Sequence, residues 1–311
     1  MEQKEFMYDS CVGKSWGKVD RHVPLDVRIN RPTWEDIGYV AQFMSHTSLP
    51  YRQIAGCTYC RRNGQMELNI TAPNAVGLPY GASARLILIY LVTVAKIQDS
   101  PHIVLGRSFA DFMTRIGRPR TGGKDGGLTR VKEQLLRVLA CNICFCQLQK
   151  STDKLLALNQ ISVASRIRLI DTVSFVGKGN AGIYVTLSEE FMKNLREHGP
   201  IPIDLRILRK IKNSAQAIDI YTWLCYRLYR SSNSSFFIPW IRLRAQFGTS
   251  AKRNADVQRS FVYQLKRVVQ WYPVVRFKIK KNGLLLTPTT DTTKIMKIIP
   301  DRIKDPDALF W

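Results

Sequence analysis

Cationic side chains set at the mouth of a helix can grip phosphate, and two stretches of this chain carry that arrangement. From 242 to 281 there are Arg242, Arg244, Lys252, Arg253, Arg259, Lys266, Arg267, Arg276, Lys278, Lys280 and Lys281, opposed only by Asp256. From 115 to 137, Arg115, Arg118, Arg120, Lys124, Arg130, Lys132 and Arg137 face only Asp125 and Glu133. A guanidinium offers paired donors to two acceptors at once, whereas an ammonium acts as a point charge. The run Arg118, Arg120, Thr121, Gly122, Gly123 and Lys124 opens a predicted helix, where free backbone N–H groups and the positive dipole end favour an anion. Lys252, Arg253 and Asn254 hold the equivalent place in the second stretch. Inside the helices, Thr129, Arg130, Lys132, Arg137, Arg259 and Lys266 are the candidates for contact, with Arg130 and Arg259 best suited to the two acceptors of guanine. Arg276, Lys278, Lys280 and Lys281 suit phosphate contacts that hold without choosing sequence.

The whole chain has the same bias: 47 Lys and Arg against 24 Asp and Glu, a net charge of +23 and a pI near 10.0. Such an excess calls for a polyanion, either nucleic acid or an anionic membrane surface. The longest apolar run, Leu86 to Ala95, is flanked by Arg85 and Lys96. It is far short of the ~20 residues that cross a hydrocarbon core, so no membrane partner is expected. Residues 1–22 hold charges and no apolar stretch of signal-peptide length, and the expected location is the cytoplasm. Double-stranded DNA is the expected partner.

Enzyme chemistry finds little to work with. Gly122-Gly123-Lys124 has the wrong register for a phosphate-binding P-loop, and Asp125 stands where Ser or Thr holds magnesium. The four histidines, His22, His46, His102 and His198, are isolated, so the metal-binding pair of a nicking enzyme is missing. No carboxylates cluster at two-metal spacing. Cys57-Thr-Tyr-Cys60 is half a zinc site without the other half, and Cys141, Cys144 and Cys146 read as buried thiols. The expectation is no catalytic residue, no metal and no cofactor: a binding protein, not an enzyme. Asp204 and Asp219 are read as capping or surface residues.

The elements that position these cations occur twice. Ser83-Ala-Arg-Leu-Ile-Leu-Ile-Tyr90 matches Ser214-Ala-Gln-Ala-Ile-Asp-Ile-Tyr221 at five of eight places, the same offset aligns Gly117 with Gly248, and Gln134 to Leu139 aligns with Gln264 to Val269 almost in register. Such self-similarity marks a duplicated unit. In the first copy, 82–98 is apolar all round and predicts a buried helix capped by Ser83. A short strand at 103–105 follows, then a helix 109–116 capped by Ser108 and ended by Gly117. A third helix begins near Leu128 with Leu128, Val131, Leu135, Val138 and Leu139 inward and Arg130, Glu133, Gln134 and Arg137 outward. After Asn142 the pattern becomes strand-like, with a turn at Lys150–Lys154. The second copy predicts a helix 214–230, a strand 236–238, helices 240–247 and 255–271, and a hairpin about Asn282-Gly283. Helix, strand, helix, loop, helix, hairpin is the winged-helix variant of the helix-turn-helix, whose third helix enters the major groove. The fold class is therefore α+β: two tandem winged-helix domains related by internal duplication.

Three strings carry a family resemblance. They are Leu78-Pro79-Tyr80-Gly81 before a hydrophobic helix; Ser108-Phe109-x-x-Phe112-Met113-x-x-Ile116-Gly117, then Thr121-Gly122-Gly123 and Thr129-Arg130-x-Lys132-x-Gln134; and Gln246-Phe247-Gly248 running on to Tyr272-Pro273 and Gly283-Leu-Leu-Leu-x-Pro288. Across roughly residues 60–290 the chain resembles the RepA-type plasmid replication initiators. The resemblance implies a bacterial protein that binds repeated origin sites (iterons), prepares the origin, recruits host initiator and replicative helicase, and represses its own promoter, in some members as a homodimer.

The resulting division is 1–50 as an N-terminal segment, 51–198 as the first winged-helix domain and 199–311 as the second with a C-terminal tail. Gly177 to Gly182 and Gly199-Pro-Ile-Pro202 are expected flexible points. Two heads in one chain would read unlike halves of a site about one helical turn, ~34 Å, apart. A winged-helix repressor with no role in replication is the competing reading.

Overall fold

The computed structural model describes residues 36–123, 126–148, 161–167, 170–176, 182–230, 234–248 and 253–289. Lys124, Lys252, His22, the turn at Lys150–Lys154, the loop 177–181 and the terminal stretches 1–35 and 290–311 lie outside them.

The chain begins with β1 (Ile37–Val40), α1 (Gln42–His46) and the strands β2 (Thr58–Asn63) and β3 (Met66–Thr71). The first repeat follows: α2 (Gly81–Gln98), β4 (His102–Gly106), α3 (Phe109–Arg115), α4 (Gly127–Ala140), β5 (Asn142–Leu148), β6 (Ile161–Ile167), β7 (Ile170–Val176) and β8 (Gly182–Leu187). A connecting stretch of α5 (Glu189–His198), β9 (Ile201–Asp204) and α6 (Leu205–Ile211) leads to the second repeat. That repeat holds α7 (Ala215–Arg230), β10 (Phe236–Pro239), α8 (Trp240–Phe247), α9 (Asn254–Trp271), β11 (Val275–Lys280) and β12 (Gly283–Pro288).

The duplication is visible in the sheets. Each repeat has a three-stranded antiparallel sheet in which the short strand after the first helix pairs with the last strand of the hairpin. The orders are β4-β8-β7 and β10-β12-β11. His102 faces Thr186 in one and Phe236 faces Leu286 in the other. The second repeat keeps the expected order of helix, strand, helix, helix and hairpin, and the α+β class holds.

Several local expectations change. The hairpin that closes the first repeat is β7–β8, not the strand after Asn142. β5 and β6 instead join the four-stranded sheet β2-β3-β5-β6. Ile143 and Phe145 of β5 are buried and pair with Ile70 and Leu68 of β3, so burial of this alternating apolar face pulls the strand to a partner far upstream. The second hairpin turns one residue early: Lys280 pairs with Gly283, leaving Lys281 and Asn282 as its two-residue loop. The first long helix begins at Gly81 with Tyr80 as its N-cap, so Ser83 lies within the first turn and caps nothing. Ser108 does cap α3, accepting from the Asp111 amide at 3.1 Å.

The stretch 199–202 is not a flexible linker. Ile201 to Ile203 are buried in β9, which pairs with β1 from the other end of the chain. Residues 37–49 are correspondingly part of the fold, with Val40, Phe43, Met44 and Leu49 in the core. That core runs without interruption through both repeats. At its centre α2 packs on α7. By length and composition α2 could span a membrane, but Ala84 to Ala95 are buried within the protein, Arg85 included. Asp219, expected at the surface, is buried as the partner of Arg85.

Candidate nucleic-acid interface

The second repeat presents its third helix as a two-sided rod. Val257, Phe261, Leu265, Val268 and Val269 face inward. The opposite stripe, Ala255, Arg259 and Tyr263, is exposed along with Arg253 and Asn254 at the helix start. Spacing of four residues keeps such a stripe on one face. Arg259 pairs with Asp256 at 2.6 Å, yet its side chain is 79% exposed. A surface pair of this kind contributes ~0–1 kcal/mol and releases readily to a ligand. Tyr263 stands 61% exposed with the Arg267 guanidinium 6.0 Å from its ring. Asn254 accepts a hydrogen bond from Arg244 of α8, which ties the start of α9 to the helix before it. Lys266 is half-buried on the flank.

The adjoining hairpin alternates as a strand with one wet face must. Val275 and Phe277 are buried, while Arg276 and Lys278 are exposed. Lys281 is exposed at the tip. Lys280 is half-buried, and its carbonyl accepts from Trp240 Nε1 at 3.2 Å, anchoring the hairpin to α8. Phe237 and Ile241, 49% and 71% exposed, lie on β10 and α8.

The first repeat is built differently. Gly117, with φ of +65°, ends α3 in the left-handed conformation that favours glycine. Its amide donates to Thr114 and the Arg118 amide to Met113, both at 2.8 Å, the two bonds of a Schellman cap. Gly248, its counterpart, has a φ of −57° and closes α8 by a single bond to Arg244. The cap at Gly117 turns Arg118 toward the turn before α7: its guanidinium donates to Asn213 Oδ1 at 3.0 Å and to the Lys212 carbonyl at 3.1 Å. Arg120 is exposed and donates to Thr114 Oγ1.

The glycine-rich loop does not offer a row of open amides. Thr121 Oγ1 accepts from the Gly127 amide at 2.9 Å and the Thr121 carbonyl from Leu128 at 3.1 Å, so two of the first amides of α4 are already used. The backbone packs too tightly for side chains: a Cβ on Gly126 would stand 2.3 Å from the Gly122 carbonyl oxygen. Thr129 donates to the Gly123 carbonyl at 3.0 Å and reinforces the same loop. Arg130 and Lys132 are exposed on α4.

Arg137 leaves the interface altogether. It is 8% exposed, donates to the Leu78 carbonyl at 3.0 Å, pairs with Glu133 at 2.6 Å and lies over the Tyr80 ring. Gln134, expected to face outward, is buried and accepts from the Tyr80 amide at 2.8 Å. Together they hold the Leu78-Pro79-Tyr80-Gly81 string. The second repeat echoes this, since Gln264 accepts from Ser214 Oγ, at the start of α7, and from Arg267. The shared Gln-x-x-Arg spacing is therefore a brace between the third and first helices. Polarity alone assigns Gln134 and Arg137 to a solvent face, which is where the expectation departs from the fold.

Sequence reasoning also missed Tyr263 and Lys212. Tyr263 was legible, being four residues beyond Arg259 and opposite the inward stripe. Lys212 was not, because only the tertiary fold brings it to Arg118. Among the described residues no three His, Cys, Asp or Glu side chains gather as a metal site.

A family model described as plasmid encoded RepA protein matches residues 78–240, more than half of the chain. A crystal structure of the RctB domains 2-3 (RctB-155-483) shares the fold with a TM-score of 0.50 and 9% identity, over 82% of this chain and 98% of that one. A second, of selenomethionine derivatives of RctB domain 2 and domain 3, aligns with a TM-score of 0.51 and 9% identity over 79% and 96%. No curated protein matches.

Proposed function

Because the chain belongs to the plasmid encoded RepA protein family, we propose that it initiates plasmid replication by binding repeated origin sites in duplex DNA. The observation that carries this reading is the exposed stripe of α9, with Arg253, Asn254, Arg259 and Tyr263, beside a hairpin bearing Arg276, Lys278 and Lys281 on its wet face. A major groove about 12 Å wide admits one helix, and a neighbouring basic hairpin then meets the backbone. Arg259 reads a base, Lys278 and Lys281 hold phosphates, and Arg130 and Lys132 serve the first repeat.

On this reading the protein works by binding, in the bacterial cytoplasm, without catalytic turnover. It prepares the origin, recruits host initiator and replicative helicase, and represses its own promoter, with a homodimer as the repressing form. Footprinting of the full chain on the DNA flanking its gene should protect repeats about two helical turns long. A plasmid carrying only the gene and those repeats should replicate in a suitable host. Protection without replication would favour a repressor, and no protection at all would overturn the proposal.

A further inference from the structure

The first repeat meets the stretch that leads into the second at a seam where basic groups from both converge. Arg118 comes from the loop after α3, and Arg209, Lys212 and Asn213 from α6 and the turn before α7. The Arg118 guanidinium reaches across to the Lys212 carbonyl and Asn213 Oδ1. Its Nε is buried with no hydrogen-bond partner, an expensive state for a cationic donor. Among the described residues no carboxylate pairs with Arg118, whereas Arg206 on α6 is taken up by Asp204 and Asp36. Burial, then the charges of Arg118 and Arg209, push the Lys212 ammonium below its ordinary value. The cations at this seam repel one another in the free protein.

An oxyanion set against these cations from the solvent side relieves that repulsion. The seam adjoins both proposed reading heads. Arg118 opens the loop that leads to α4, and Asn213 precedes Ser214, which donates to Gln264 of α9 at 3.0 Å. We propose that Arg118, Lys212 and Asn213 form a composite site for one backbone phosphate of the bound duplex, between the two half-sites, with Arg209 adding charge. The inference rests on the DNA-binding reading above. It adds that this phosphate is held at once by the first repeat and by the turn that opens the second, so the seam fixes the spacing between half-sites.

The test is a coupling cycle with the full chain and a duplex that it selects from a random pool. Each central phosphate is replaced in turn by an uncharged methylphosphonate. One replacement should weaken the wild-type protein about tenfold, the scale of one lost charge-assisted contact. The same replacement should change binding by Arg118→Gln less than about twofold. Lys212→Gln, on the outer turn, should show the same loss of sensitivity and guards against a folding defect in the first variant. Wild type and both variants responding equally at every phosphate would overturn the seam site and leave DNA binding intact. A wild-type chain that binds no duplex would overturn the DNA reading itself. Release of the duplex by inorganic phosphate at constant ionic strength, with no phosphate of the duplex coupled to Arg118, would assign the seam to a free anion and also overturn the proposal.

Discussion

Arg85 on α2 and Asp219 on α7 meet in a bidentate ion pair, Nε to Oδ1 at 2.6 Å and Nη2 to Oδ2 at 2.7 Å, with both side chains shut away from solvent. Nη1 donates to the Pro50 and Gly81 carbonyls and Nη2 also to Leu49, so all five donors are used. The guanidinium lies 5.0 Å from the Tyr51 ring. The pair is not a relic of duplication. At the offset that aligns Ser83 with Ser214, Arg85 corresponds to Gln216 and Asp219 to Leu88. It joins the first helices of the two copies to each other and to the chain at 49–51.

Removing one partner leaves the other as an uncompensated buried charge, at a cost of about 3–5 kcal/mol. Asp219→Leu and Arg85→Met should each lower the urea midpoint accordingly. The double variant should lose less than the sum, because no orphan charge remains. With a core continuous through both repeats, unfolding should be one transition by fluorescence and by far-UV dichroism. Two resolved transitions would show that the pair does not couple the halves.

Arg259 is held by Asp256 in the free protein and must turn from it to reach a base. Arg259→Ala should cost ~1–3 kcal/mol on the selected site and relax sequence choice in one half of it. Asp256→Asn frees the guanidinium and removes a negative charge, so affinity should rise modestly on all duplexes. Competition binding on specific and random duplexes separates the two effects. Equal losses on both for Arg259→Ala would remove it as a reader.

Lys278 and Lys281 face solvent on the hairpin, and an ammonium meets phosphate as a point charge. Lys278→Ala and Lys281→Ala should each weaken binding to all sequences alike and reduce the slope of log affinity against log salt by about 1. Titrations at several salt concentrations measure this directly. A slope unchanged within error would place these residues away from the DNA.

Periodicity reports which side of an element is buried, and it served well where burial was local. The inward positions Val131, Leu135 and Val138 of α4 and the all-apolar α2 follow from spacing alone. It failed where polar groups are buried with partners from elsewhere. Arg137, Gln134, Arg85 and Asp219 carry charge or amide groups that spacing assigns to water, and each is inside because a carbonyl, amide or counter-ion meets it. The same limit hid β5–β6 in the upstream sheet and the role of Arg118. In each case the partner is distant in sequence, and nothing local records it.

Burial also fixes how the protein should respond to alkali. The Cys141 and Cys225 thiols are pushed up to about 12 by burial, and the buried Tyr221 and Tyr272 hydroxyls stand well above the ordinary tyrosine value, again by burial first. An unfolded thiol loses its proton near pH 8.5 and an unfolded tyrosine near 10. Below those values both states keep their protons, and the stability tied to these groups is fully present. As pH rises toward 12, only the unfolded chain deprotonates, so stability falls. The urea midpoint should be flat from pH 7 to about 8, then drop steadily above about 9. At pH 8 iodoacetamide should label the exposed Cys60 in the native protein and reach Cys141 and Cys225 only after unfolding, as read by peptide mass mapping. Rapid native labelling of Cys225 would mean that α7 opens without global unfolding, which a centre shared by both repeats does not permit.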